Sequence, residues 1–555
     1  MLLSSKDLDN RNFDFCVVGS GPAGIITVLE LERLTEKRSI LFLEYGVVGD
    51  GTHNALDDYI HLSNPEHHYA PAECTNKGLG GTSETWGGRC VMYDKVDFLP
   101  RAPFAEHCTW PANILSDLQP YLAKADSYFE CAPGGFTLRE QPGIDYQPIA
   151  EGFREGPVTD SVIEKWSRPT RFAAQYGDAV KKSKNIWLCE GIELRQLGVP
   201  NPSGQVEEAT VRDRAGVQRK VKASCFILAM GGQETTRVLM KSPTVFEKRG
   251  GMPPALGRYY QGHLSGKIAS VQFAGDPEKT DFGFKRLAKG EYIRRRLQFT
   301  SQALQDHGIL NTALWLDNPH YFDPKHRSGA MSFMYLAMLT PGLGRRLAPP
   351  TIAHSITKGK VNKIGAHVAN ILRDLPGSLL VPASIFVRRY CMRRKLPGVF
   401  LHSRANLYAL HFHAEQIPTT ENRMELDQGG ESLDIHYGYT DKDVESVIKA
   451  HELLDDWLKQ CGCGHLVYWY PQHELGKRIR DGSKDGVHQV GTTRMSAQME
   501  EGVVDKNLML WGTTNVFVCS SSVFPTSGQA NPTFLLGIFA ARLGHFLSAR
   551  CATRN

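Results

Sequence analysis

Several things are scarce in this sequence. The first dozen residues lack the apolar core of a secretory leader, because Lys6, Asp7, Asp9 and Arg11 break them up. No run approaches about 18 uninterrupted apolar residues, so no membrane span is expected and the chain is expected in the cytoplasm. The net charge of +5 over 555 residues is small, and no arginine-rich tract carries interleaved aromatics, which argues against nucleic acid as a partner. Paired cysteine spacing is also missing. Cys461 and Cys463, followed by His465, sit closer together than zinc ligands do and no second pair completes them, while Cys16, Cys225 and Cys519 lie inside apolar runs. Reduced thiols and no metal are expected. His53, His61, His67 and His68 are irregularly spaced and read as loop histidines.

What is present is a long, 41% apolar chain that can bury a large core and form two or more domains. Its organising stretch is Phe13 to Gly46. A short apolar run breaks at Gly19, an amphipathic segment from Ile25 to Arg38 follows, and a second apolar run ends at Glu44. The pattern is strand, tight turn, helix, parallel strand. In such a unit Gly19 permits the turn, Gly21 lets backbone approach a pyrophosphate, and Gly24 lets the helix pack close to the sheet. The helix start offers unpaired N–H groups to phosphates. Glu44, at the end of the second strand, is placed for a ribose hydroxyl and would repel a 2′-phosphate. The spacing predicts dinucleotide binding.

Further along, Gly78 to Cys90 holds five glycines and a central tryptophan, a loop able to line an anion or a planar ring with backbone amides. Trp110 to Ala132 reads as helical support, with Leu115, Leu118, Tyr121 and Leu122 on one face. From Ile186 the pattern turns to strands, the last of which, Cys225 to Met230, breaks at Gly231-Gly232 into a helix and so is expected to rejoin the first sheet. Residues 341–398 carry eleven lysines and arginines against Asp374 alone, a net +10. This insert is expected to be helical with a solvated basic face, or to form an interfacial patch for anionic lipid or an acidic partner. Strands then return at Leu407 and Arg423, and an amphipathic helix spans Asp441 to Gln460, which suggests a second domain whose sheet walls a substrate site.

The C-terminal part contains His488-Gln-Val-Gly-Thr-Thr-Arg-Met and Pro525-Thr-Ser-Gly-Gln-Ala-Asn-Pro-Thr533. Asn531 followed by Pro532 marks a helix start, with Phe534, Leu535, Ile538, Phe539 and Leu543 as its apolar face. Five segments occur in one order: Gly19 to Gly24 with Glu44; Gly80-Gly81-Thr82-Ser83; Gly257-Arg258-Tyr259-Tyr260; His488-x-x-Gly491-Thr492; and Asn531-Pro532-Thr533. In this the chain resembles the glucose/methanol/choline (GMC) family of FAD-dependent oxidoreductases over nearly its whole length.

The resemblance implies an α/β fold, with a Rossmann-like FAD-binding domain assembled from discontinuous segments and an α+β substrate domain with an antiparallel sheet. The expected division is 1–110, 186–270 and 485–555 for FAD, 111–185 for a cap, and 271–484 for substrate. It implies FAD, oxidation of an alcohol, His488 as the base and Asn531 as the residue orienting the substrate oxygen. Imidazole titrates near neutrality and suits the task. The cofactor contacts it implies fall on Gly19, Gly21, Gly24, Glu44, Gly80, Gly81, Thr82, Ser83, Trp86, Gly87, Ser520, Ser521, Pro532 and Thr533. Glu84-Thr85-Trp86 stands where some sugar-oxidising members have a Thr-His-Trp bonded to the flavin, so FAD is expected to be noncovalent. Ser520-Ser521-Ser522 replaces a common aspartate. The loop at 80–90 and Glu415-Gln416-x-Pro418 are similar to bacterial members acting on sugars, aminocyclitols and glycosides. The rival readings are a non-redox reaction, such as that of a lyase, on the same flavoprotein fold, and a binding protein using the basic insert.

Overall fold

A computed structural model describes residues 1–35, 37–47, 59–104, 107–168, 170–340, 354, 356–359, 361–392 and 394–552. His53, Arg345, Arg346, Lys360 and Arg393 lie outside them. The strand Asn12–Val18 is flanked in parallel by Ile40–Glu44 on one side and by the end of Gln218–Leu228 on the other. Ile186–Glu190 and Val516–Val518 extend this parallel core at its two edges, and an antiparallel hairpin, Ile192–Leu197 with Glu208–Asp213, is laid against the first half of Gln218–Leu228. Strands buried on both faces are near-continuous in Val, Ile, Leu and Phe, which is what Phe15 to Val18 and Ile40 to Leu43 show. The sheet is thus closed by pieces from three distant parts of the chain.

The helix Pro22–Leu34 covers one face of this sheet and packs along Thr533–Ala552. Gly24 sets its closeness: a Cβ there would stand 2.0 Å from the Gly19 carbonyl oxygen. Gly24→Ala is therefore expected to push helix and turn apart, with a loss of several kcal/mol, read as a lower melting temperature and protein recovered without flavin. Contrary to the expectation of no membrane span, the last helix has a stretch, Thr533–Cys551, long and apolar enough to cross a bilayer, although Arg542, His545 and Arg550 interrupt its apolar run. Phe534, Leu535, Ile538 and Phe539 are nevertheless fully buried in the core, where Phe539 packs against Trp110 and Phe524.

The second sheet is antiparallel throughout, in the order Gly464–Tyr468, His263–Phe273, Leu407–Glu415, Thr312–Asp317, Leu297–Phe299, Val158–Thr159. The helix Asp441–Cys461 covers one face of it through Val444, Val447 and Leu454. His263–Phe273 crosses the boundary drawn at 270 and lies inside this sheet. Ile114, Leu118, Ala125 and Phe129, drawn with the cap, are buried in the core of the first sheet.

Candidate active site

Asp485 organises the loop that carries His488. Its Oδ1 accepts the backbone N–H groups of Gly486, Val487 and His488 at 2.7, 3.0 and 3.2 Å, the local turn that short acidic side chains favour. Its Oδ2 accepts from His263 N at 2.7 Å and lies 2.9 Å from His488 Nδ1. Gly491, at φ +97°, brings the next part of the loop onto the turn containing Tyr259; a Cβ there would lie 1.9 Å from the Tyr259 carbonyl oxygen. Gln261 then joins the two C-terminal segments. Its backbone N–H reaches Val490 O, and its amide bonds Pro525 O and Ser527 N at 3.1 and 3.0 Å.

The outcome is a direct contact, Asn531 Nδ2 to His488 Nε2 at 2.6 Å, between residues 43 positions apart. Burial opposes the charge on Asp485, yet the imidazoles of His488 and His263 outweigh it and hold the carboxyl well below its usual range. The carboxylate therefore accepts a hydrogen bond from His488 Nδ1–H, which leaves Nε2 with its lone pair facing Asn531. Asn531 Oδ1 is buried and has no hydrogen-bond partner among the described residues.

Two further imidazoles were not picked out from sequence. His263 Nδ1 is 3.0 Å from His488 Nδ1, and His413 stacks on His263 with centroids 4.2 Å apart. Burial pushes His263 down to about 4 and His413 well below the usual histidine range, so both rings are neutral. The ligand atoms of His263, His413 and His488 all lie within 4.8 Å of one another, a spacing that could also hold a metal ion. Hydrogen bonds already engage these rings, His413 Nδ1 to Gln529 O at 2.8 Å among them. The signal in the sequence was the alternation His411-Phe-His413-Ala-Glu415, which puts every second residue on one face of a strand. For Asp485 it was an acid three residues before the histidine.

A cleft of about 180 Å³ runs from the Gly19 turn to the start of the last helix. Of the residues expected at the cofactor, Gly19, Gly21, Glu44, Gly81, Thr82, Ser520, Ser521, Pro532 and Thr533 border it, and so do the neighbours of His488, Val487 and Gln489. Gly24, Gly80, Ser83, Trp86 and Gly87 do not. Gly24 is spent on packing. Ser83 donates to Gly80 O at 2.6 Å, and Trp86 donates to Thr170 O at 3.0 Å with its ring against Phe129, so both fix the loop's shape. Gly81 lies directly on Gly21, where a Cβ would come within 2.8 Å of the Gly21 Cα.

Glu44 differs from the simplest expectation of a free carboxylate. Its oxygens accept from Ser20 N and Oγ at 2.9 and 2.7 Å and from Gly46 N and Gly78 N at 2.8 Å each. A ribose hydroxyl would compete there with the Ser20 hydroxyl. The rest of the cradle fits a dinucleotide. Gly21 caps the first helix without a side-chain bond, and none of the described residues stands within 4 Å of where its Cβ would be. The protein alone gives no reason for glycine at that position; a pyrophosphate at the helix start does.

Residues 418–540 match the family described as GMC oxidoreductase. A 65-residue stretch is 38% identical to 2-methyl-1,2-propanediol dehydrogenase of Mycolicibacterium austroafricanum, and amounts to 12% of this chain and 12% of that protein. Among solved structures, formate oxidase of Aspergillus oryzae RIB40 superposes with a TM-score of 0.52 at 15% identity, over 98% of this chain and 99% of the other. Pyridoxine 4-oxidase, given as from Mesorbium loti, gives 0.50 at 17% identity over 96% and 99%. A fungal aryl-alcohol oxidase gives 0.50 at 15% identity over 97% and 99%. The fold is the one shared by these oxidases. Residues 418–540 are similar to the GMC oxidoreductase family.

Proposed function

We propose that the protein oxidises a hydroxyl group of a sugar, glycoside or aminocyclitol to a carbonyl. FAD, held noncovalently in the cleft, supplies the hydride acceptor. The observation that carries this reading is the 2.6 Å contact between Asn531 and His488 Nε2. Asp485 fixes the tautomer in which Nε2 is unprotonated, so His488 can take the hydroxyl proton. The substrate hydroxyl would displace Asn531 from Nε2, and Asn531 Nδ2 would then donate to the substrate oxygen and orient it. Once Nε2 is protonated, the Asp485 carboxylate on the other ring nitrogen stabilises the imidazolium. His263, neutral and buried, adds no competing positive charge. The carbohydrate assignment rests on the likeness of residues 80–90 and 415–418 to bacterial sugar-oxidising members.

Anaerobic titration of the flavoprotein with glycosides, aminocyclitols and polyols tests both levels. Bleaching of the oxidised flavin band by a carbohydrate is the expected result. Bleaching by an aryl alcohol or a simple diol alone would overturn the substrate class and leave the reaction standing. Substrate turnover without any bleaching would overturn the redox reading.

A further inference from the structure

The helical insert is built with its polar side inward. Ile364–Arg373 and Leu375–Phe386 pack on the helix Gly329–Leu339. The side chains they bury are polar: His367 and Asn370 bond Ser332 Oγ at 3.0 and 3.2 Å, Asn370 also bonds Pro324 O, and Ser378 bonds Asp374 O at 2.7 Å. Their outward side is apolar. Leu372 and Leu380 are each 68% exposed and Phe386 is 60% exposed, and Val368, Leu375 and Leu379 are exposed as well. Ile364, Val368 and Leu372 follow at intervals of four on one helix, and Leu375, Leu379 and Phe386 at four and seven on the next. Such spacing makes one continuous stripe along each helix. A helix pair with a solvated face shows the reverse arrangement, so the exposed side of the insert carries an apolar stripe beside the expected basic side chains.

The surroundings of the stripe are cationic. Lys358, Lys363, Arg373 and Lys395 are exposed, and residues 341–398 carry a net +10 in a chain whose total is +5. Phe386 also borders a cavity of about 1090 Å³ that lies between the insert and the end of the antiparallel sheet, with Phe322, Phe333, Met334, Ile385 and Trp469 among its walls. Phe386 thus belongs both to the apolar stripe and to the cavity wall.

We infer that the outward face of the two helices docks the protein on an anionic phospholipid bilayer. The leucines and Phe386 enter the boundary between headgroups and acyl chains, the flanking lysines and Arg373 lie at the phosphates, and the wall of the large cavity that Phe386 lines comes close to the membrane. Charge decides between a bilayer and a second copy of this chain. Two copies meeting through this face would bring two strongly positive rims together, whereas an acidic lipid surface complements them. This inference does not depend on the chemistry at His488.

The test is flotation of the full-length flavoprotein with phosphatidylcholine vesicles, with and without phosphatidylserine. The wild type is expected to float with the anionic vesicles. Binding is expected to weaken at least tenfold between about 0.1 M and about 1 M salt, where the screening length drops from about 10 Å to about 3 Å. L372E/L379E/L380E, which alters exposed positions only, is expected to lose flotation while keeping its flavin spectrum. The control V199E, at an exposed apolar position elsewhere, is expected to float like the wild type. Wild-type protein that does not float at low salt, or a triple variant that floats unchanged, would overturn the inference. So would a wild-type dimer that the triple variant converts to monomer while neither binds vesicles, since the face would then join two copies.

Discussion

Protein carrying His488→Gln is expected to purify yellow and to be reduced by its substrate about 10²- to 10⁴-fold more slowly than the wild type, the range that a positioned general base contributes. Glutamine is preferred to alanine because it can still hydrogen-bond Asp485, whose buried charge is costly to leave alone. The imidazole does not border the FAD cleft, and its loop is shaped by Gly491 and by the N–H groups that Asp485 collects. Cofactor retention and substrate reduction should therefore separate. The visible spectrum reads the first and anaerobic stopped-flow reads the second. An unchanged reduction rate would remove His488 from the chemistry and favour a binding role.

Asp485→Asn is expected to have an effect of similar size for a different reason. The amide can still accept from the loop N–H groups, but its NH₂ group would face His488 Nδ1 and donate to it. The ring proton then moves to Nε2, the atom that has to receive the substrate's proton. A loss of about 10³- to 10⁴-fold in the reduction rate follows, as in other sites where an aspartate sets a catalytic tautomer. Nitrogen-15 NMR of the histidine ring reads the tautomer directly, a signal that a merely structural aspartate would not alter. The carboxylate also has a pH signature. Its folded pKa is below its unfolded value of about 3.9, so its contribution to stability is complete above about pH 4 and is lost as the pH falls through the folded value. Acid unfolding below pH 4 should begin at higher pH in Asp485→Asn than in the wild type.

Much of this was legible in the sequence because the relevant signals are local. Gly19, Gly21 and Gly24 follow an apolar run and open a helix, and Asn531-Pro532 announces another, so both halves of the cleft are visible in short windows. The antiparallel sheet was legible from alternation in Leu407 to Glu415. What escaped was set by distance along the chain. His263 and His413 lie on neighbouring strands 150 residues apart, and only the register that pairs Ser265 with His413 and His263 with Glu415 brings them to His488. The partners of Glu44 come from Ser20 and Gly78, and no carboxylate announces that its oxygens are already engaged. The insert showed its charge and its apolar content in composition. Which of the two faces outward depended on Ser332, on a helix that no pattern in the insert could specify.

The pairing of the helix Pro22–Leu34 with Thr533–Ala552 has a consequence for how the molecule is made. During synthesis the opening strand, turn and helix leave the ribosome hundreds of residues before Val516–Val518 and the final helix that cover and complete them. Until those last segments arrive, Ile25, Ile26 and Val28 have no lid, and the nucleotide turn faces an unfinished wall. Contacts of such sequence separation form slowly. Acquisition of colour should therefore be a late, post-translational event, and nascent chains stalled short of Val516 should depend on chaperones to stay dispersed.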